Sequence, residues 1–184
     1  MDFFNGQCLL AMPGMRDERF ERAVIYVCSH TAEGAMGLVV NKPLQHLTFD
    51  DLLAQLHIVR PEKGVNPSVM AGGPVDVVRG FVLHSPEYTG KATLTMTDLA
   101  SLSVTTDIID DIATGKGPER YLIALGYVGW GAGQLENEIK ENSWTPVSAD
   151  ADLLYSLPNE KKWSRAFASL GVDPSFLSEE QGKA

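Results

Sequence analysis

The stretch Tyr121 to Ile139, YLIALGYVGWGAGQLENEI, sets the tightest limit on what this chain can fold into. It passes from an apolar, strand-like segment through glycines at 126, 129, 131 and 133 into a helix-like segment. Glycine at such spacing serves where the backbone must reverse or approach another group without a Cβ in the way. A glycine loop opening a helix also presents free N–H groups, so an anion cradle is one reading. The loop lacks the Gly-Lys-Ser/Thr ending of a phosphate loop, and Glu136 and Glu138 in the first turns of the next helix would satisfy its dipole and repel an anion. The stronger reading is structural, with Gly129 to Gly133 letting the helix pack tightly on the sheet. Trp130, an aromatic between glycines, is a candidate either for display to a partner or for covering the core.

Length and charge narrow the class. A chain of 184 residues that is 44% hydrophobic closes one sizeable core, which predicts one domain over 1–184 with a short flexible C-terminal tail from about 178. The net charge of −9 disfavours direct nucleic-acid binding, because neutralising phosphates takes clustered Lys and Arg. Arg16, Arg19 and Arg22 alternate with acidic residues, and Lys161, Lys162 and Arg165 flank Trp163 in a pattern that reads as a solvated helix face. The apolar runs are too short to span a membrane, and no leader-like segment opens the chain, so the expected location is cytoplasmic with no membrane association. Cys8 and Cys28 each sit in an apolar run and are expected to be buried rather than to form a disulfide framework.

Hydrophobic patterning predicts strands over Gln7 to Met12, Ala23 to His30 and Ala35 to Asn41, the last two joined as a hairpin by the turn Thr31 to Gly34. Thr48 is expected to cap a helix from Phe49, with Asp51 three residues on as its reciprocal partner. Val69 to Ala71 leads into a tight Gly72-Gly73-Pro74 turn, from which Arg79 to His84 returns as a strand. Ala92 to Met96 reads as a short strand and Leu102 to Thr106 as a strand end or the approach to a helix. Thr106 or Asp107 then starts a helix to about Thr114, and a strand over Arg120 to Val128 precedes the glycine loop and a helix to Asn142. A last strand over Trp144 to Val147 and helices over Asp150 to Tyr155 and Asn159 to Leu170 complete the pattern. Strands pair through short links as often as they alternate with helices, which favours an α+β fold over a doubly wound sheet.

The segments GQCLLAMPGM, RAVIYVCSHTAEGAMGLVVNKP, AGGPVDVVRGFVLHS and LGYVGWGAGQLENEI followed by NSW, in this order, resemble the YqgE/AlgH family of bacterial proteins. The resemblance implies an α+β fold with a mixed, largely antiparallel bifurcated sheet curled into a pseudo-barrel with flanking helices, in a bacterial cytosolic setting. It implies no activity: the family is broadly uncharacterised, and its label of transcriptional regulator is not a mechanism. Where the family commonly carries Thr-Thr-Ser or similar before the Asp of its central helix, this chain has Ser103-Val104-Thr105-Thr106 before Asp107.

Catalytic signals are incomplete. Cys28 and His30 lie two apart on one strand face, a spacing of about 7 Å that is too long for a thiol activated by direct hydrogen bonding. His84 beside Ser85 suggests acyl chemistry with Asp107, but Ser85 lacks the Gly-x-Ser-x-Gly elbow. His30, His46, His57 and His84 show no metal-ligand spacing, so neither metal nor cofactor is expected. A composite binding patch is the better candidate. Asn41 and Lys42 end a strand, Gly72 and Gly73 form a turn, and Thr105, Thr106 and Asp107 start a helix, with Trp130 as a possible aromatic contact. The local alternative gives Asn41 and Asp107 capping duties and the glycines turn chemistry. The reading that follows is a non-catalytic binding or regulatory protein with a protein or small-molecule partner. The alternative is a hydrolase-type enzyme whose site is assembled from distant residues such as His84, Asp107 and Lys42.

Overall fold

The hairpin read from the sequence anchors the observed architecture. In the computed structural model, which describes residues Phe3 to Asp173, β2 (Val24–Thr31) and β3 (Gly34–Val39) pair antiparallel from Ile25↔Val39 to Thr31↔Gly34, with a bulge between Val27 and Ser29. The C-terminal tail expected from about residue 178 lies outside the described residues. Two compact units make up the chain: Met1–Asn41 with Gly129–Ala184, and Lys42–Val128.

In the first unit, β1 (Gln7–Ala11) lies between β2 and β9 (Trp144–Ser148), antiparallel to both. Neighbours on the two faces of β1 and β2 are equally buried: Leu9, Leu10, Val24, Ile25, Tyr26 and Val27 are all inaccessible to solvent. That explains why these strands read as continuous apolar runs rather than alternating ones. Cys8 and Cys28 are buried among them and free, as expected. A short helix, α3 (Gln134–Lys140), and a longer one, α4 (Asn159–Ser169), contribute Leu135, Trp163, Ala166 and Phe167 to this core. Between β9 and α4, where an α-helix over Asp150 to Tyr155 is expected, the chain makes a π-helical turn, Asp152–Ser156.

The second unit is built around β8 (Tyr121–Gly131), whose last residues belong to the first unit. On β8 lie β5 (Val75–His84), antiparallel, and β4 (Val69–Ala71), parallel; β7 (Ser101–Ser103) and β6 (Thr93–Thr95) extend the sheet beyond β5. The fold is thus α+β with a mixed, largely antiparallel sheet. Helix α1 (Phe49–Gln55) starts at the expected capping box: Thr48 Oγ1 accepts from Asp51 N at 3.2 Å, and Thr48 N donates to Asp51 Oδ2 at 2.8 Å. Helix α2 (Asp107–Ala113) places Ile108, Ile109 and Ile112 with Phe49, Leu52 and Leu53 against Val69, Val82 and Ile123. Each such side chain, fully buried, stabilises by about 1.5–3 kcal/mol.

Two expectations are corrected here. The glycine loop is largely strand, because β8 runs on through Gly129, Trp130 and Gly131 before α3 begins. Gly72-Gly73-Pro74 is not a hairpin turn, since β4 and β5 do not pair with each other but each with β8, one parallel and one antiparallel.

Candidate functional site

The proposed patch residues divide between the units, and most carry local duties. Asn41, in the first unit, accepts from Val24 N at 2.9 Å and donates to Arg22 O at 2.8 Å, so its amide clamps the turn that leads into β2, where Arg22 takes a positive φ of 52°. Trp130, also in the first unit, is only 6% exposed. Its indole N–H donates to Glu138 Oε2 at 2.9 Å, and Trp144 donates to the same oxygen at 2.8 Å. One carboxylate therefore satisfies two buried indoles, while its other oxygen accepts from Gln134 at 2.8 Å. This use of Glu138 was not legible in the sequence, where the residue read as a dipole partner.

In the second unit, Lys42 and the glycine pair do come together. Lys42 O accepts from Ala71 N at 2.8 Å, and Gly72 N donates to Leu125 O at 2.8 Å. A Cβ on Gly73 would fall on the Tyr127 carbonyl, and one on Gly72 on the Gly126 carbonyl. Gly126 itself takes φ 74° and lies under Gly73 O and Val77 Cα. Three glycines thus let two backbone segments cross at a distance that no other residue permits.

Of Thr105, Thr106 and Asp107, the aspartate turns toward Gly90 and Lys91 instead. Thr106 occupies the N-cap of α2 without a side-chain capping bond, so the expected capping role of Thr106 or Asp107 is not what the side chains do. Asp107 Oδ2 accepts from Lys91 N at 3.0 Å, and that amide is the first cause that holds the Asp107 carboxyl below its usual range. One turn on, Asp111 accepts from Tyr88 O–H at 2.6 Å, and burial followed by the Asp111 carboxylate pushes the Tyr88 phenol well up.

Beside this cluster runs a chain of neutral groups that is buried at His84 and Ser103 and half-buried at its ends. Gly90 N donates to Thr93 Oγ1 at 2.9 Å, Thr93 and Ser103 share a hydrogen bond of 2.8 Å, and Ser103 Oγ lies 2.9 Å from His84 Nε2. His84 Nδ1 lies 2.8 Å from the Ser85 carbonyl, which can only accept, so Nδ1 carries the proton and Nε2 accepts from Ser103. Burial is the main cause that lowers the His84 pKa, against smaller upward contributions from Ser85 and Glu87. Serine and imidazole are at the distance of a nucleophile and its base, yet His84 and Ser103 are 0% and 1% exposed. The serine that His84 meets is Ser103 rather than its sequence neighbour Ser85, whose hydroxyl donates to Glu87 and to Arg120 O.

The cysteines are inert by the same reasoning. Burial pushes both thiols up to about 12, and Cys28 Sγ contacts only the Tyr26 carbonyl at 3.8 Å among its described hydrogen-bond partners. Lys162 departs from the solvated helix face that its charge run suggested. It is 2% exposed and donates to Val40 O at 2.9 Å and Leu154 O at 2.8 Å, the second a carbonyl of the π turn. Burial lowers its pKa to about 8. Among the described residues, no three His, Cys, Asp or Glu side chains gather to hold a metal ion, and no helix is long and apolar enough to cross a membrane.

The most exposed apolar surface on a regular element lies on β5. Val75 pairs with Tyr127 and Gly80 with Leu125, so residues 76 to 79 stand opposite Gly126 alone and bulge away from β8. Asp76 supports the bulge with φ 48°, a conformation that Asp tolerates better than most residues. Val77 and Val78 are 60% and 84% exposed. Nothing in the run Val75-Asp-Val-Val marks this, because a strand-like apolar segment reads as buried.

Comparison with known proteins places this geometry in a family. The AlgH-like family model matches residues 8–175. A UPF0301 protein of Rhodopseudomonas palustris strain HaA2 is 48% identical, over 100% of this chain and 88% of its own length. A UPF0301 protein of Rhodospirillum rubrum is 47% identical, over 99% and 95%. The solution structure of the AlgH protein from Pseudomonas aeruginosa matches with a TM-score of 0.81 at 40% identity, covering 99% of this chain and 96% of that one. A crystal structure from Corynebacterium diphtheriae shares the fold, with a TM-score of 0.70 at 17% identity over 97% and 93% of the two chains. On sequence and fold together, the chain belongs to the AlgH-like family.

Proposed function

We propose that this chain is a non-catalytic cytosolic binding protein that regulates by contact with a protein partner, with the Val75 to Arg79 bulge as its contact surface. The observation that carries the reading is the contrast in exposure: Val77 and Val78 face solvent, whereas His84, Ser103, Cys28 and Lys162 are buried and bonded into the structure. The partner that fits is a protein surface with an apolar centre and basic surroundings, since a chain of net charge −9 attracts the opposite sign and repels its own copies. Regulation through such a contact fits the charge better than direct DNA binding does. The one-domain organisation over 1–184 belongs to the same proposal, and coincident unfolding transitions by tryptophan fluorescence and far-UV circular dichroism would support it.

The test compares wild type with Val77→Asp/Val78→Asp as bait in native lysate, together with their unfolding curves. A protein held by wild type and lost by the double variant at unchanged stability supports the proposal. Equal retention by both overturns it.

The second reading, a hydrolase, is favoured by the 2.9 Å Ser103–His84 pair. It requires the buried serine to become accessible. Labelling of Ser103 by a fluorophosphonate probe in the native protein would establish it, and absence of labelling at concentrations that modify serine hydrolases would dismiss it.

A further inference from the structure

The first unit contains a second buried histidine whose bonding differs from that of His84 in one respect. Its acceptor nitrogen holds a backbone amide of the N-terminal segment. His30 Nδ1 accepts from Phe4 N at 3.1 Å, which leaves the ring proton on Nε2, 3.3 Å from Glu136 Oε1. The His30 side chain is 1% exposed and that of Glu136 15%. Phe4 stacks on the imidazole at 5.5 Å between centroids, and Phe3 meets it edge-on at 5.2 Å. Asn5 completes the attachment from the backbone side: its Oδ1 accepts from His30 N at 2.6 Å and its Nδ2 donates to His30 O at 3.0 Å.

The geometry points to His30 as a pH-sensitive latch that holds Phe3 to Asn5 when neutral and lets Phe4 go when protonated. A proton added to the neutral ring enters at Nδ1, the only free lone pair, and turns the acceptor of Phe4 N–H into a donor facing a donor. The bond is lost and the two N–H groups repel. The same proton makes the ring an imidazolium beside Glu136, so the charged form keeps a partner while the segment loses its own.

The groups around His30 support this direction. The N-terminal segment brings Phe3, Phe4 and Asn5, none of them ionisable, and β3 places Ala35 opposite on the ladder. The turn before β3 carries Glu33, which is exposed and whose described hydrogen bond is made by its backbone N–H to Thr31. Helix α3 contributes Glu136, the carboxylate within ion-pair distance among the described residues. Release would free two phenylalanines, one of them already 44% exposed, and uncover the ring face that Phe4 shields. The latch therefore couples proton uptake to display of a short apolar segment.

Nuclear magnetic resonance of the whole chain tests it, following the His30 ring shifts and the exchange protection of the Phe4 amide from about pH 8 to about pH 5. The expected result is a loss of Phe4 protection of about tenfold or more, with the midpoint of the His30 titration. His30→Gln, whose side-chain oxygen still accepts but does not titrate, should make Phe4 protection independent of pH. Where a variant fails to fold, the wild-type titration decides alone. Phe4 protection that stays constant while His30 titrates, or a His30 that stays neutral throughout, overturns the latch.

Discussion

The two units meet the same problem, polar groups that must be buried, by opposite means. The first unit buries all three tryptophans and leans on two charges: Glu138 accepts from the indoles of Trp130 and Trp144 and Lys162 donates to two carbonyls, while the Trp163 indole donates to the Ala11 carbonyl. The second unit holds no tryptophan and relies on neutral groups in series, from Gly90 N through Thr93 and Ser103 to His84 and the Ser85 carbonyl. A buried charge is strong when fully bonded and costly when its partners are removed. A neutral chain is cheaper to bury but depends on every member keeping its direction as donor or acceptor. Exposure divides the same way: Val59, Val65, Val75, Val77, Val78, Leu94 and Val104 stand out from the second unit, against Phe3, Leu170 and Val172 from the first.

The largest expected effect falls on the second unit and involves no polar group. Gly73→Ala puts a methyl group onto the Tyr127 carbonyl, and overpacking against backbone should cost about 3 kcal/mol or more in urea unfolding. A loss below about 1 kcal/mol would mean that the glycine crossing is not tight.

Next comes the charge in the first unit. The folded pKa of Lys162 is about 8, against an ordinary value of 10.5, so between those values the unfolded chain binds the proton that the folded chain has released. The penalty of burying the ammonium is fully present below pH 8 and fades as pH rises toward 10.5. Stability relative to Lys162→Met should therefore climb by about 3 kcal/mol across that window. A flat difference would sink the assignment of a buried charge.

Glu138→Leu strands two indole N–H groups, for an expected loss of about 2–4 kcal/mol with a shift in tryptophan emission. Glu138→Gln keeps an acceptor oxygen and should lose less; equal losses would mean that the carboxylate charge, not its acceptor role, matters.

The smallest effect concerns His84 and has the opposite pH sense. Its folded pKa is lowered, so the contribution from the neutral ring is fully present above the ordinary value near 6.5 and declines as pH falls below it. His84→Leu should flatten that acid-side decline relative to wild type in thermal unfolding. An unchanged slope would show that His84 does not titrate differently in the two states.

Much of the fold was legible because its signals are local. The hairpin, the Thr48–Asp51 capping box, the short strand Val69 to Ala71 and the helix Asn159 to Leu170 each follow from residues a few positions apart. Where reading failed, a distant partner decided. Gly72-Gly73-Pro74 looks like a hairpin turn until β8 lies between the strands on either side, and the glycine loop looks like a loop although its first residues continue β8. The candidate patch was legible only in part. Lys42 and Gly72 are neighbours through Ala71, but Asn41 and Trp130 serve their own unit, and the groups that pair with His84 and Glu138 come from elements the sequence does not connect to them.

By itself the amino-acid order determined the α+β class, the acidic character and the family, since periodicity, capping and motif order are properties of neighbouring residues. Tertiary structure alone decided that Lys162 is buried, that Val78 is exposed and that Ser103 rather than Ser85 faces His84. Side-chain type states what burial would cost, but whether a residue is buried depends on which distant segments pack over it.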